Sequence, residues 1–172
     1  MQSLAVASGN RESDYNLLVS QTRQLWDPQL PRFSNLANIS ALIRSRMERV
    51  NWLGFYIWDE RENRLILGPF QGSPACMIIP EGKGVCGTAV RLKKTQRVHD
   101  ITVFPGHIAC DSASRSELVV PIIHRGKIRA VIDIDSPEPD RFDETDQYYI
   151  EKIANLLGFL WTACGKKSAN DD

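Results

Sequence analysis

The chain lacks long apolar runs and any excess of one charge. Nowhere do about 18 apolar residues follow one another, as a membrane-spanning helix requires. The first residues show no basic patch followed by an apolar stretch, which disfavours a secretory signal. Basic and acidic side chains number 21 each, so no net field favours nucleic acid or an acidic membrane. We therefore expect a cytoplasmic protein that binds small molecules, without nucleic-acid or membrane partners.

Cysteine is scarce, with four residues in a chain of 172. Four are too few for a disulfide scaffold, and cytoplasmic thiols are reduced at rest, so a cystine here would be transient and catalytic. Zinc sites usually contain close C-x2-4-C pairs, whereas Cys76, Cys86 and Cys110 are separated by 9 and 23 residues, so we expect no metal. Three small buried apolar side chains are the alternative. Cys164 has no polar setting, and we expect it to be structural.

The order of predicted elements indicates an α+β fold. Two amphipathic helices, the first with Ser13 as its expected cap, precede a β-hairpin, a short helix, a second hairpin and a long helix capped by Asp143. Pro121 suggests an edge or irregular position within the second hairpin. Helices in such an order can cover one face of an antiparallel sheet. We expect a single domain over 1–172, with a helical segment 1–48, a sheet 49–142, a helix 143–165 and a disordered tail 166–172.

Cys110 has the surroundings of a reactive thiol. His107 and Asp111 flank it, and serine recurs in the loop-like segment "GHIACDSASRSE". Polar groups and turn amides stabilise the thiolate, which is the nucleophilic form of cysteine. The surroundings of Cys110 therefore favour a reactive thiol over a buried apolar side chain.

Two predicted strands carry the candidate binding residues. Asp133 and Asp135 alternate with isoleucine and so share one face, and Glu117 would join them if the strands of the second hairpin pair. Acids on an apolar face need a cation, a metal or water, and this cluster would suit an ammonium group; a solvated strand end is the alternative. Trp52 and Tyr56 also share a face, either as core or as a wall for an apolar or cationic ligand.

Residues 82–87, "GKGVCG", match the G-x-G-x-x-G pattern of dinucleotide-binding loops. The context does not support that function, because it requires a parallel hydrophobic strand, whereas the short run before this motif ends in Pro80. We expect a loop-to-helix turn whose first amides could hold a small carboxylate.

Five segments carry a family resemblance: "NWLGFYI", "LGPFQG", "ACMIIPEGKGVCGTAV", "HDITVFPGHIACDSASRSELVVPI" and "VIDIDSPEPDRF". Together they resemble the free methionine-(R)-sulfoxide reductases, a family built on a GAF domain. The resemblance runs from about Asn51 to Phe142 and more loosely through the flanking helices. It implies a single GAF domain, with a central antiparallel sheet and the N- and C-terminal helices on one face. It also implies reduction of free L-methionine-(R)-sulfoxide to L-methionine.

The same resemblance implies roles for individual cysteines. Cys110 would be the nucleophile that becomes a sulfenic acid, and Cys76 would resolve it to an intramolecular disulfide. Cys86 is shared with the family, but whether it assists, replaces Cys76 as resolver or lines the pocket stays open. Thioredoxin, reduced by NADPH through its reductase, would recycle the disulfide, with no bound cofactor.

For the substrate, the resemblance implies an acid cluster and an aromatic wall, and the helix-start amides near Gly84 could take the carboxylate. The cluster and wall would be Glu117, Asp133, Asp135, Trp52 and Tyr56. A homodimer through the terminal helices is compatible with the family. Two alternatives stay open: a GAF sensor without catalysis, disfavoured by the three thiols and the lack of a fused output domain, and another thiol oxidoreductase such as a peroxidase.

Overall fold

The computed structural model describes residues 8–106 and 112–161. Within these residues, the helices and strands follow one another in the order expected for an α+β fold. They are α1 (Arg11–Leu25), α2 (Arg32–Arg46), β1 (Trp52–Asp59), β2 (Arg64–Gln71), β3 (Ile78–Pro80), α3 (Gly84–Leu92), β4 (Gln96–Val98), a 3-10 turn (Ile101–Val103), β5 (Ser116–His124), β6 (Lys127–Ser136) and α4 (Glu144–Leu160). No helix in the described part has the length and hydropathy needed to cross a membrane.

The strands form one antiparallel sheet in the order β3-β2-β1-β6-β5-β4. Both expected hairpins are present, as β1–β2 and β5–β6. The second turns tightly because Arg125 and Gly126 both have positive φ, the backbone of a two-residue hairpin turn that matches strand twist. Pro121 lies beyond the stretch of β5 that pairs with β4, which is Glu117–Val119, so the expected edge position is confirmed.

The two faces of the sheet carry different layers. Leu53, Phe55, Ile132 and Ile134 belong to a core shared with α1, α2 and α4. Trp52, Tyr56, Val119 and Val131 point to the other face and pack with α3. The expectation of N- and C-terminal helices on one face is confirmed, because period-2 alternation gives β1, β5 and β6 an apolar side for those helices.

One predicted helix cap is confirmed and one is wrong. Asp143 accepts a hydrogen bond from the Asp146 amide and Asp146 accepts one from Asp143, a reciprocal capping box at α4. The cap of α1 is Asn10 rather than Ser13, whose amide donates to the Asn10 side chain. The helix begins earlier than predicted because its first turn is exposed, where polar residues are tolerated. The end of the predicted 143–165 helix, Cys164 and the tail 166–172 lie outside the described residues.

Candidate active site

The acidic residues meet through the register of three central strands. Asp135 pairs with Trp52 on β1 and with Glu117 on β5, while Asp133 pairs with Gly54 on one side. Directly opposed side chains on one face have Cβ atoms about 4.5–5.5 Å apart. Sequence-distant acids are therefore brought side by side on the α3 face, as the pairing of the second hairpin predicted for Glu117.

Helix α3 adds a thiol to these acids. The Cys86 sulfur and one carboxylate oxygen each from Glu117 and Asp133 all lie within 4.8 Å of one another. Glu117 is 7% and Asp133 6% exposed. Oδ1 of Asp133 is buried and has no hydrogen-bond partner within the described part of the chain. A buried carboxylate oxygen without a donor is costly, which is a physical reason to expect a polar ligand there.

Burial raises the pKa values of the two buried carboxyls in this cluster. Burial, followed by the charges of Asp133 and Asp135, raises the pKa of Glu117 well above its usual value. Burial raises the pKa of Asp133 to about 6, although hydrogen bonds from Cys86 and Glu117 favour its ionised form. None of these influences is a lysine or arginine. Burial and negative neighbours therefore favour the protonated form of Glu117, whereas the hydrogen bonds to Asp133 favour its ionised form.

Cys86 is a poor nucleophile at neutral pH. Burial, followed by the charges of Asp133 and Glu117, raises the pKa of its thiol well above the usual value. Its helix approaches the sheet closely because residue 87 is glycine: a Cβ there would lie 2.4 Å from the Pro80 carbonyl oxygen. The Gly84 amide donates to the Gly106 carbonyl, so that amide at the expected carboxylate-binding helix start is already engaged.

Aromatic side chains form the wall beside the acids. The rings of Trp52 and Tyr56 stack with centroids 5.9 Å apart, and Trp52 stacks on Phe70 at 5.4 Å. Gly54 makes room for this arrangement, because a Cβ there would lie 2.5 Å from both Phe70 and Trp52. Phe70 and Gly54 were not among the residues predicted for the site. The pairing of β1 with β2 brings both residues to the site, and the sequence alone does not specify the register of that pairing.

The cysteines differ in chemical state. Cys76, in the segment between β2 and β3, is disulfide-bonded, whereas Cys86 is a free, buried thiol. Cys86 is therefore not the partner of Cys76 in this structure. The candidate nucleophile Cys110 and its neighbours His107 and Asp111 lie outside the described residues.

Comparison with known proteins agrees with this geometry. The GAF domain family matches residues 34–162. Free methionine-R-sulfoxide reductase of Saccharomyces cerevisiae is 47% identical over 154 residues, covering 86% of each chain. Its Escherichia coli namesake is 48% identical over 135 residues, 78% of this chain and 81% of the relative. The chain belongs to the GAF-domain family of free methionine-R-sulfoxide reductases.

A solved structure of this family gives the same fold. The Neisseria meningitidis free methionine-R-sulfoxide reductase, determined in complex with its substrate, has a TM-score of 0.89 and 37% identity, and the match covers 95% of this chain and 97% of that one. The α+β sheet with its helices is thus that of the reductases, and the resemblance noted in the sequence is confirmed.

The cluster of Cys86, Glu117 and Asp133 also has a composition that could bind a metal. One thiol and two carboxylates within 4.8 Å are a ligand set that suits Zn²⁺ with an open fourth position. The sequence contains no close cysteine pair and so predicted no metal, because a cluster drawn from α3, β5 and β6 depends on contacts between distant segments. Metal binding would require all three groups to lose their protons, against the raised pKa values of Cys86 and Glu117.

The Asp133 carboxylate is expected to lower stability at neutral pH. Its pKa is raised from 3.8 to about 6, so the folded protein binds this proton more tightly than the unfolded chain does. The stabilisation that results from the bound proton is complete below pH 3.8 and is lost as pH rises through about 6. Asp133→Asn should therefore increase the free energy of unfolding at pH 8 by about 1 to 3 kcal/mol, with little difference near pH 4. Urea unfolding of both proteins across this pH range measures the effect.

Asp143→Asn is a control of opposite sign. The Arg11 guanidinium beside Asp143 lowers the pKa of that carboxyl to about 2, so its contribution is present at neutral pH and lost in acid. That variant should be less stable than the wild type at pH 8. A destabilised Asp133→Asn protein at pH 8 would show that the buried carboxylate is compensated within the fold.

Proposed function

We propose that this chain reduces free L-methionine-(R)-sulfoxide to L-methionine, with Cys110 as nucleophile. The observation that carries the proposal is the cluster of two buried acids, Asp133 and Glu117, with the half-buried Asp135, beside an aromatic wall. Their described surroundings hold no lysine or arginine that shifts the pKa of Asp133 or Glu117. Buried negative charge needs a positive partner, and the α-ammonium of a free amino acid is one.

The site would distinguish a free amino acid from a peptide. Asp133 and Asp135 would bind the α-ammonium, which is absent from a methionine within a chain. The sulfoxide and its methyl group would lie against the stacked rings of Trp52 and Tyr56, which are almost completely buried. The relatives named free methionine-R-sulfoxide reductases support this choice of substrate.

The first chemical step would oxidise Cys110 and reduce the sulfoxide. The Cys110 thiolate attacks the sulfoxide group, the substrate S–O bond breaks, and the oxygen with one proton remains on Cys110 as a sulfenic acid while methionine leaves. Glu117 is suited to supply that proton because burial and its negative neighbours raise its pKa and favour its protonated form. Asp133 would stay ionised to bind the ammonium.

The second step would involve Cys76 rather than Cys86. Cys76 condenses with the sulfenic acid, forming an S–S bond and releasing water, and a dithiol such as thioredoxin then reduces the disulfide by exchange. Supporting this assignment, Cys76 is disulfide-bonded whereas Cys86 is a buried thiol whose pKa is raised. Cys86 would line the pocket and donate its S–H to Asp133.

One assay tests the proposal. NADPH consumption with thioredoxin and its reductase is compared for free methionine-(R)-sulfoxide, the (S) epimer and hydrogen peroxide. We expect turnover with the (R) epimer alone. Preferential consumption of peroxide would assign the thiols to a peroxidase, and no consumption with any of them, together with binding of a small ligand, would favour a sensor.

Asp133→Asn should weaken binding of the free amino acid. Removing one charge from the ammonium contact should cost roughly 1.5 to 3 kcal/mol, which raises the KM on the order of tenfold or more. N-acetylated methionine-(R)-sulfoxide lacks the same cation, so acetylation should penalise the wild type strongly and the variant little. That non-additivity is measured from four KM values and indicates a direct contact.

Glu60→Gln is the matched control, because Glu60 is an exposed acid paired with Lys127. Its KM and its preference for the free substrate should equal those of the wild type. If Asp133→Asn and Asp135→Asn both leave KM and that preference unchanged, the two carboxylates do not bind the ammonium.

A further inference from the structure

The aromatic wall is hydrogen-bonded to the segment that carries Cys76. The Tyr56 hydroxyl donates to the Cys76 carbonyl oxygen at 3.0 Å. Trp52 Nε1 donates to the Ser73 carbonyl oxygen, also at 3.0 Å. Two adjacent stacked rings of β1 therefore hold two points of one segment, 72–77, which connects β2 to β3.

This segment has little regular structure of its own. Residues 72–77 belong to no helix or strand, and Cys76 is half-buried. At the start of the segment, Gly72 has φ +138° and lies against the indole of Trp52, where a Cβ would be 2.6 Å from Cδ1. At its end, the Met77 carbonyl accepts from the Leu67 amide. Between these ends, the contacts from Trp52 and Tyr56 restrict the backbone.

Tyr56 is well suited to hold a carbonyl. Its side chain is 1% exposed, so its hydroxyl requires a protein partner, and the Cys76 carbonyl accepts its hydrogen. Burial, followed by the charge of Asp133, raises the pKa of the phenol above its usual value, so it remains a donor at any physiological pH. The ring orientation is set by its stacking on Trp52.

We propose that Tyr56 is a positioning residue for Cys76, holding the backbone of the resolving cysteine where its thiol can reach the oxidised nucleophile. This inference rests on the proposed function. In the step concerned, the Cys76 sulfur bonds to the sulfenic sulfur, the S–O bond breaks, and the hydroxyl leaves as water with the thiol proton. Restricting one reactant raises its effective concentration, so the hydrogen bond from the Tyr56 hydroxyl accelerates the resolution step.

Tyr56→Phe separates these two steps because it keeps the ring and deletes the hydroxyl. Because the Tyr56 ring also belongs to the proposed substrate wall, methionine release by the variant is measured first, without reductant, and disulfide formation is timed from the sulfenic acid that this step leaves. Its disulfide should then form about three- to tenfold more slowly, the effect of one lost neutral hydrogen bond. Rapid quench measures the methionine, and alkylation with mass spectrometry measures the disulfide. Dimedone should trap more sulfenic acid in the variant.

Tyr15→Phe is the matched control. Tyr15 is also buried and donates its hydroxyl, here to Asp146 between α1 and α4 on the opposite face of the sheet. Its loss should lower stability and leave both steps unchanged. If Tyr56→Phe forms its disulfide at the wild-type rate, or both variants slow it equally, the positioning role is overturned.

A thiol–disulfide equilibrium with glutathione tests the same contact without methionine sulfoxide. The equilibrium gives the effective concentration of the Cys76 thiol toward its disulfide partner. We expect this value to fall about three- to tenfold in Tyr56→Phe and to stay unchanged in Tyr15→Phe. An unchanged equilibrium in Tyr56→Phe would overturn the inference. Because this measurement needs no turnover, it decides the role of Tyr56 even if the wild type releases no methionine, a result that would instead overturn the proposed function.

Discussion

Cys110→Ser is expected to reduce turnover of free methionine-(R)-sulfoxide to background. A serine hydroxyl is not ionised near neutral pH and cannot be oxidised to the sulfenic acid, so neither attack on the sulfoxide nor oxygen transfer can occur. The measurement is methionine formation, both in a single turnover without reductant and in the thioredoxin-coupled assay. Both should be lost, because the nucleophile acts before any resolving thiol.

Two other serine variants are its controls. Cys76→Ser should still release about one methionine per chain but lose thioredoxin-coupled cycling, because the sulfenic acid forms and has no resolver. Cys86→Ser should retain cycling, because the raised pKa of the Cys86 thiol excludes it as the nucleophile at neutral pH. Near-normal turnover by Cys110→Ser, with loss of activity in Cys86→Ser, would transfer the nucleophilic role to Cys86.

Glu117→Gln should lower kcat by about 100-fold or more with little change in KM. General acid catalysis contributes on the order of 10² to 10⁴ in rate, and glutamine preserves the shape and a hydrogen-bond donor but has no transferable proton. Asp133 keeps its charge in this variant, so ammonium binding should persist. Glu117→Gln should therefore change kcat more than KM, whereas Asp133→Asn should change KM more than kcat.

The pH dependence gives a second measurement of the same role. The acid form of Glu117 is populated below its pKa, which burial and the charges of Asp133 and Asp135 raise, so kcat of the wild type should fall on the alkaline side. Thiolate formation at Cys110 should lower it on the acid side, which gives a bell-shaped profile. Glu117→Gln should lose the alkaline limb. A variant that keeps both kcat and this limb would show that another group supplies the proton.

The sequence determined the fold through local patterns. Alternation in "VIDID" and in "NWLGFYI" depends only on the period of a β-strand, so it separated the apolar side of the sheet from the side with Asp133, Trp52 and Tyr56. Asp143 was predicted as a cap because capping acts over three residues. The first cap was missed because Asn10 and Ser13 are both good caps, and local propensity does not choose between them.

Only the tertiary structure decided what the site residues do to one another. Register placed Glu117 opposite Asp135, and the close approach of α3 brought Cys86 to the acids. The raised pKa values of Glu117 and Asp133 follow from burial and mutual charge, which no spacing in the chain specifies. The bond from Tyr56 to the Cys76 carbonyl joins residues 20 positions apart. Strand pairing and burial depend on contacts between distant segments, so the sequence named the candidate groups and folding set their distances and protonation.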